Sequence, residues 1–246
     1  MTEQINNENT QNTNELVETK NQVATVNTGS NYITAILDDI QTGFIEANQG
    51  LDMDFVHMGD WLTKDSKGNF VEKDDEEVSY GDTIDIVVGQ GEKRYSLWGL
   101  EGSPEDGELI VAEKELADAQ EKLVGWLAEN PDAAERYSID DIKLRYMAFV
   151  VPVDTLKPDD FPKVYLMSFS PTDTIRWGQF AFSVYKGKYK KLNIPRGTGV
   201  NKIVTRLVTK EYKGASGGQK YIGLEFHPVG LFKPEDYGIN PEEQHS

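Results

Sequence analysis

Residues 201–229 read as two strands joined by a glycine-rich link, and no other stretch restricts the fold as much. "NKIVTRLVTKEYK" (201–213) and "QKYIGLEFHPV" (219–229) flank Gly214-Ala215-Ser216-Gly217-Gly218. Along 202–210, Lys202, Val204, Arg206, Val208 and Lys210 alternate with Ile203, Thr205, Leu207 and Thr209. β-Branched residues at a period of two suit a pleated, half-buried surface. The alternation predicts antiparallel sheet and places three cations along one strand face.

The segments before this pair extend the pattern. "IKLRYMAFVVPV" (142–153) and "KVYLMSF" (163–169) are β-prone runs. "SPTD" follows: Ser170 suits an N-cap, Pro171 the first helical position, and Asp173 completes a capping box. The predicted helix carries Trp177, Phe180, Ala181 and Val184 on one core stripe and ends near Gly187, with Arg176 and Gln179 off that stripe. Earlier still, "DFVHMGDWLTKDSKGNFVEK" predicts two short strands around the turn at 65–69. Ile84, Ile86 and Val88 alternate before Gly89-Gln90-Gly91, which predicts a hairpin continued by Tyr95, Leu97 and Trp98. Leu116, Ala119, Leu123 and Leu127 recur at helical steps, and Asn130-Pro131 ends that run. Ile33, Ile36 and Ile40 are also near helical spacing.

A helix between the third and fourth strands of a five-stranded barrel is the order of an OB-fold. The expected fold is therefore mostly β, an OB-like five-stranded barrel with a helical insertion; an α+β sandwich gives the same string. The expected organisation is a disordered arm (1–30), one OB-like domain (31–232) with its helical insert near 111–137, and an acidic mobile tail (233–246).

Charge divides the chain. Residues 141–226 hold fifteen Lys/Arg against seven Asp/Glu, a net of +8, while the remainder nets −25 within an overall −17. Such asymmetry predicts separate electrostatic roles for the two parts. There is no cysteine, which excludes disulfides, thiolate metal sites and a cysteine nucleophile. The N-terminus has no basic segment followed by an apolar run, and no window is apolar enough to span a bilayer. A soluble cytoplasmic protein without a membrane partner is expected.

Between Lys186 and Lys220 lie ten cations, and Glu211 is the one acid. They are Lys186, Lys188, Lys190, Lys191, Arg196, Lys202, Arg206, Lys210, Lys213 and Lys220, interleaved with Tyr185, Tyr189, Tyr212 and Tyr221. Phosphates need several cations at backbone spacing, and exposed rings give unpaired bases a face to stack on. These fourteen residues are the candidate nucleic-acid site. The competing readings are a solvated lysine-rich loop, pairing with the acidic half, and a protein-binding surface. The run from Glu72 to Asp85, with seven carboxylates and one lysine, reads as a solvated loop, or as the working surface of an acidic nucleic-acid mimic that inhibits a host enzyme. Tail acids Glu235, Asp236, Glu242 and Glu243 either cover the basic track or recruit replication proteins.

Catalytic signatures are missing. His57, His227 and His245 are scattered; "GASGGQK" and "RGTGVNK" do not complete a phosphate loop; no calcium loop or nucleophile elbow occurs. One magnesium-nuclease arrangement can be assembled from Pro158-Asp159 and Glu211-Tyr212-Lys213, across an untypically long gap. No enzyme activity, cofactor or metal is expected.

The segment "KVYLMSFSPTDTIRWGQFAFSVYKG" with "NKIVTRLVTKEYKGASGGQKYIGLEFHPVGLF" resembles phage replication-region proteins related to single-stranded-DNA-binding proteins. Upstream, "WLTKDSKGNFVEK" and "IDIVVGQGEKRYSLWG" resemble the front half of such proteins. The likeness covers about residues 55–232 as a pattern of elements. It implies an OB-like core, binding of single strands without sequence preference, and an acidic tail for partners or self-regulation; a structural phage component is a further reading. The tail here ends "EEQHS" instead of in an aromatic residue.

Overall fold

Strand β4 (Thr83–Trp98) is the spine of the structure, a computed structural model that describes residues 29–47, 54–57, 59–75, 77–158, 160–213 and 220–239. Its first half pairs with β8 (Ile203–Lys213), its last turn of sequence pairs with β5 (Leu109–Glu113), and β6 (Lys143–Pro152) runs along its other side. With β1 (Asp60–Lys64), β2 (Phe70–Glu72), β3 (Ser79–Gly81), β7 (Tyr165–Phe169) and β9 (Lys220–Leu231), the sheet runs β3-β2-β1-β7-β6-β4-β8-β9, and β5 branches from β4. Every pairing is antiparallel except β1 with β7. The protein is thus mixed α+β, dominated by a strongly curled open sheet that has nine strands among the described residues. The five strands of the expected barrel undercount it: the two short strands predicted around 65–69 join the sheet through the remote parallel pairing of β1 with β7, and β3 and β5 add two more.

Bulges explain much of the curl. Register shifts place an extra residue in β4 between Val88 and Gly91, opposite β6, and in β9 at Val229, opposite Val204 and Thr205 of β8, and each extra residue bends its strand and increases its twist. The first of these corrects the predicted hairpin: Gly89-Gln90-Gly91 is a bulge inside one continuous strand, with β6 paired on both sides of it. Curling brings β1 back toward β9. Lys64 Nζ at the end of β1 donates to the Ile222 carbonyl of β9 at 3.1 Å, although no ladder closes the sheet there.

The concave face is filled by α3 (Pro171–Tyr185), whose Trp177, Phe180 and Val184 pack against Ile86, Val150, Phe169 and Leu207. The convex face is covered by α1 (Gly29–Ala47), where Ile33, Ile36 and Leu37 meet Val87, Phe149 and Val151. Both faces are therefore buried over residues 86–88 of β4 and 147–152 of β6, and these stretches are unbroken apolar runs. A third cluster joins β4 and β5 to α2 (Leu116–Glu129) through Leu97, Val111, Ala119, Leu123 and Tyr137. The predicted helical insert at 111–137 begins instead as a strand, followed by α2 and a 3-10 turn at Pro131–Glu135.

Of the segment assigned to the acidic tail, Pro234–Tyr237 forms a 3-10 turn, Tyr237 packs against Phe232 at 5.7 Å, and Ile239 is buried in the cluster to which α1 contributes. Residues 240–246, and nearly all of the predicted arm, lie outside the described residues, as does the link at 214–219. Among the described residues no helix is long and apolar enough to cross a membrane.

Candidate nucleic-acid interface

The candidate interface is built from the start of α3. Ser170 Oγ accepts from the Asp173 N–H at 3.2 Å and donates to Asp173 Oδ2 at 2.7 Å, and Pro171 occupies the first turn, as the sequence predicts. Asp173 does more than cap. Fully buried, its Oδ1 accepts from the backbone N–H of Leu224 in β9 at 3.0 Å and from Arg176 Nη1 at 3.1 Å, and Lys64 Nζ lies 3.9 Å from Oδ2. Burial pushes the Lys64 ammonium below its usual range, and the Asp173 charge opposes that shift.

Held in this way, Arg176 lies over the Tyr212 ring at 3.8 Å and donates to the Tyr221 hydroxyl at 3.3 Å; Tyr212 and Tyr221 stack at 5.6 Å. Gly223 makes this approach possible, since a Cβ there would stand 2.6 Å from Arg176 Nη1 and 3.0 Å from the Tyr212 ring. Between α3 and the β8–β9 pair runs a groove of about 370 Å³. Phe180, Leu224 and Phe226 line it, with Gln179, Lys188 and Tyr189 above.

Past α3, residues 186–197 form a pinned loop. Ile194 is fully buried, the Lys188 N–H donates to the Ser183 carbonyl at 3.1 Å, and the Gly197 N–H returns to the Tyr185 carbonyl at 2.8 Å. Gly187, Asn193 and Gly197 take left-handed backbone angles that let the loop close on itself. It carries Lys186, Lys188, Lys190, Lys191 and Arg196, all exposed and, among the described residues, without an ion pair. Exposed Tyr185 borders the loop, and half-buried Tyr189 rests its ring 6.2 Å from Phe180.

The strand cations differ. Arg206 makes a two-pronged bond to Asp85 at 2.7 and 2.8 Å, Lys210 bonds Glu225 at 2.7 Å, and Lys220 bonds Glu211 at 2.7 Å. The Lys210 bond holds Glu225 below the usual carboxylate range, while Glu225 raises Lys210 and Asp85 raises Arg206. Lys202 does not share a strand face with Arg206 and Lys210. It ends a 3-10 turn at Val200–Lys202, just before β8 begins at Ile203, and Val204 between it and Arg206 is buried. Lys213 is exposed at the end of β8. The structure thus brings together one free cationic loop and one aromatic groove, and sets apart a neutralised strand pair.

Phe182, 58 % exposed beside this loop, escaped the sequence reading. It falls off the Trp177–Phe180–Val184 stripe, and that mismatch of period was the available signal.

The acidic run is also divided. Glu72 accepts from the Tyr165 hydroxyl at 2.9 Å and lies 3.3 Å from Lys163, and Asp85 is taken by Arg206. Asp74, Asp75 and Glu77 remain exposed, and Glu76 lies outside the described residues. Of the assembled nuclease pair, Asp159 lies outside the described residues and Glu211 is bonded to Lys220. Among the described residues no three His, Asp or Glu side chains are grouped to hold a metal ion. Against family models, curated proteins and solved structures alike, the chain has no significant match.

Proposed function

We propose that the protein binds single-stranded nucleic acid, as a DNA-binding component of phage replication or recombination, on the face made by the 186–197 loop and the groove beneath it. One observation carries this reading: five exposed cations share a pinned loop without ion pairs among the described residues, on a chain of net charge −17. A surface that served only solubility would use the acid in abundance here. An uncompensated basic loop beside aromatic rings instead suits phosphates and unpaired bases. Trp177 and Phe180 anchor α3 in the core, so the loop is presented on a fixed support. In this reading the curled sheet is an elaborated OB-like half-barrel, and the protein works by binding, with no covalent chemistry.

Titration of a labelled dT oligonucleotide of about 30 nucleotides, at low and high salt and beside a duplex of equal length, tests it. Tighter, salt-sensitive binding of the single strand supports the proposal; no binding at low salt removes it.

The neutralised strand pair favours a second reading, an acidic interaction protein. Asp74, Asp75 and Glu77 would then be the working surface, and neutralising them would abolish partner inhibition while loop changes would not.

A further inference from the structure

We infer that the outer face of α3, centred on Phe182 and Tyr185, is a stacking platform for unpaired bases, separate from the groove on the other side of the helix. The inference rests on the nucleic-acid reading and specifies its ligand as bases, not merely phosphates. Its starting point is a conflict in the helix. The inner stripe Trp177, Phe180 and Val184 already satisfies the core, yet Ile175, Phe182 and Tyr185 stand 63 %, 58 % and 57 % exposed. They lie at helical steps of seven and three, which sets them along one side of α3. Single exposed apolar residues are ordinary; an aligned set on one helix marks a contact surface.

The surroundings select the occupant. Gly178 lies one turn before Phe182 on the same side of α3, and nothing stands within 4 Å of where a Gly178 side chain would begin. Glycine in a helix interior costs about 1 kcal/mol relative to alanine. Here it leaves open space beside an exposed ring, where a planar group fits. Lys186 Nζ stands 4.5 Å from the Phe182 centroid, and Lys188, Lys190 and Lys191 follow in the adjoining loop. A second copy docking here in symmetric fashion would bring these cations against one another. An apolar peptide would leave them unanswered. A polyanion with aromatic groups at each step answers both the rings and the charges.

The test compares a dT oligonucleotide of about 30 nucleotides with an abasic phosphodiester of the same length, by anisotropy, for wild type, Phe182→Ala/Tyr185→Ala and Phe182→Trp. Wild type is expected to prefer the base-bearing strand. The double alanine variant should lose about 10- to 100-fold on dT and little on the abasic strand, while the tryptophan variant retains dT binding. Both residues are exposed, so unchanged circular dichroism and thermal midpoint are expected controls. Equal dT affinity in wild type and the double variant overturns the platform while leaving the nucleic-acid reading intact. Failure of wild type to bind either strand overturns both. A wild-type dimer that dissociates in the double variant, with dT affinity unchanged, assigns the face to a second copy and also overturns the platform.

Discussion

Asp173 in the first turn of α3 accepts the backbone N–H of Leu224 in β9 at 3.0 Å, so a side chain occupies a donor on the edge strand of the sheet. Lys64 takes the neighbouring Ile222 carbonyl at 3.1 Å. These two side chains, 3.9 Å apart, saturate part of an exposed edge and tie helix, first strand and last strand together where the sheet does not close. They also set the position of Arg176, and through it the wall of the groove.

Asp173→Ala should therefore lower stability by about 3 kcal/mol or more, since it leaves a buried N–H and two cations without their partner. Asp173→Asn should lose less, because it retains an acceptor for Leu224. Urea unfolding of the two variants checks this; equal, small losses would show that the tie is not structural.

Gly89 lies under α1, where a Cβ would stand 2.7 Å from Leu37 Cδ1 and 2.9 Å from Ile33 Cγ2. Gly89→Ala should destabilise by about 1–3 kcal/mol through overpacking. Combining it with Leu37→Ala should give a coupling of at least about 0.5 kcal/mol. Strict additivity in that double-mutant cycle would mean that α1 does not seat on the bulge.

Asp54 should report acid sensitivity. Burial opposes its charge, but the Val56 N–H and Arg94 outweigh burial and hold the carboxyl below its usual range. A depressed folded pKa gives stability that is present above the unfolded value of about 3.9 and lost as pH falls through the folded one. The thermal midpoints of wild type and Asp54→Asn should differ at neutral pH and converge in acid. A gap unchanged by acidification would assign the difference to packing.

Local chemistry made α3 legible. Ser170, Pro171 and Asp173 specify its start, and Trp177, Phe180 and Val184 its buried side, all within a few turns of chain. Where the sequence misled, the deciding partner was remote. Glycines serve turns and bulges alike, and only pairing with β6 made Gly89-Gln90-Gly91 a bulge. Val204 alternates correctly with its neighbours, but the 3-10 turn at Val200–Lys202 takes Lys202 out of the strand and away from Arg206. The pairing of Arg206 with Asp85 spans 121 residues and leaves no local trace. Counting cations along the chain therefore overstated the free charge in the site.

Each phosphate neutralised on a single strand contributes about −0.7 to the slope of log affinity against log salt. Contacts from the five free loop cations predict a slope near about −3.5, and contacts from all ten predict about −7. Binding isotherms over a range of salt distinguish these two values.

Charge reversal tests the central claim most directly. Anisotropy with labelled dT should be measured for wild type, Lys190→Glu/Lys191→Glu, and Arg206→Gln/Lys210→Gln. The loop variant should lose binding by about 100-fold or more while the strand variant stays within about threefold of wild type. Full binding by the loop variant, with loss in the strand variant, would contradict that claim and move the site to the paired strands.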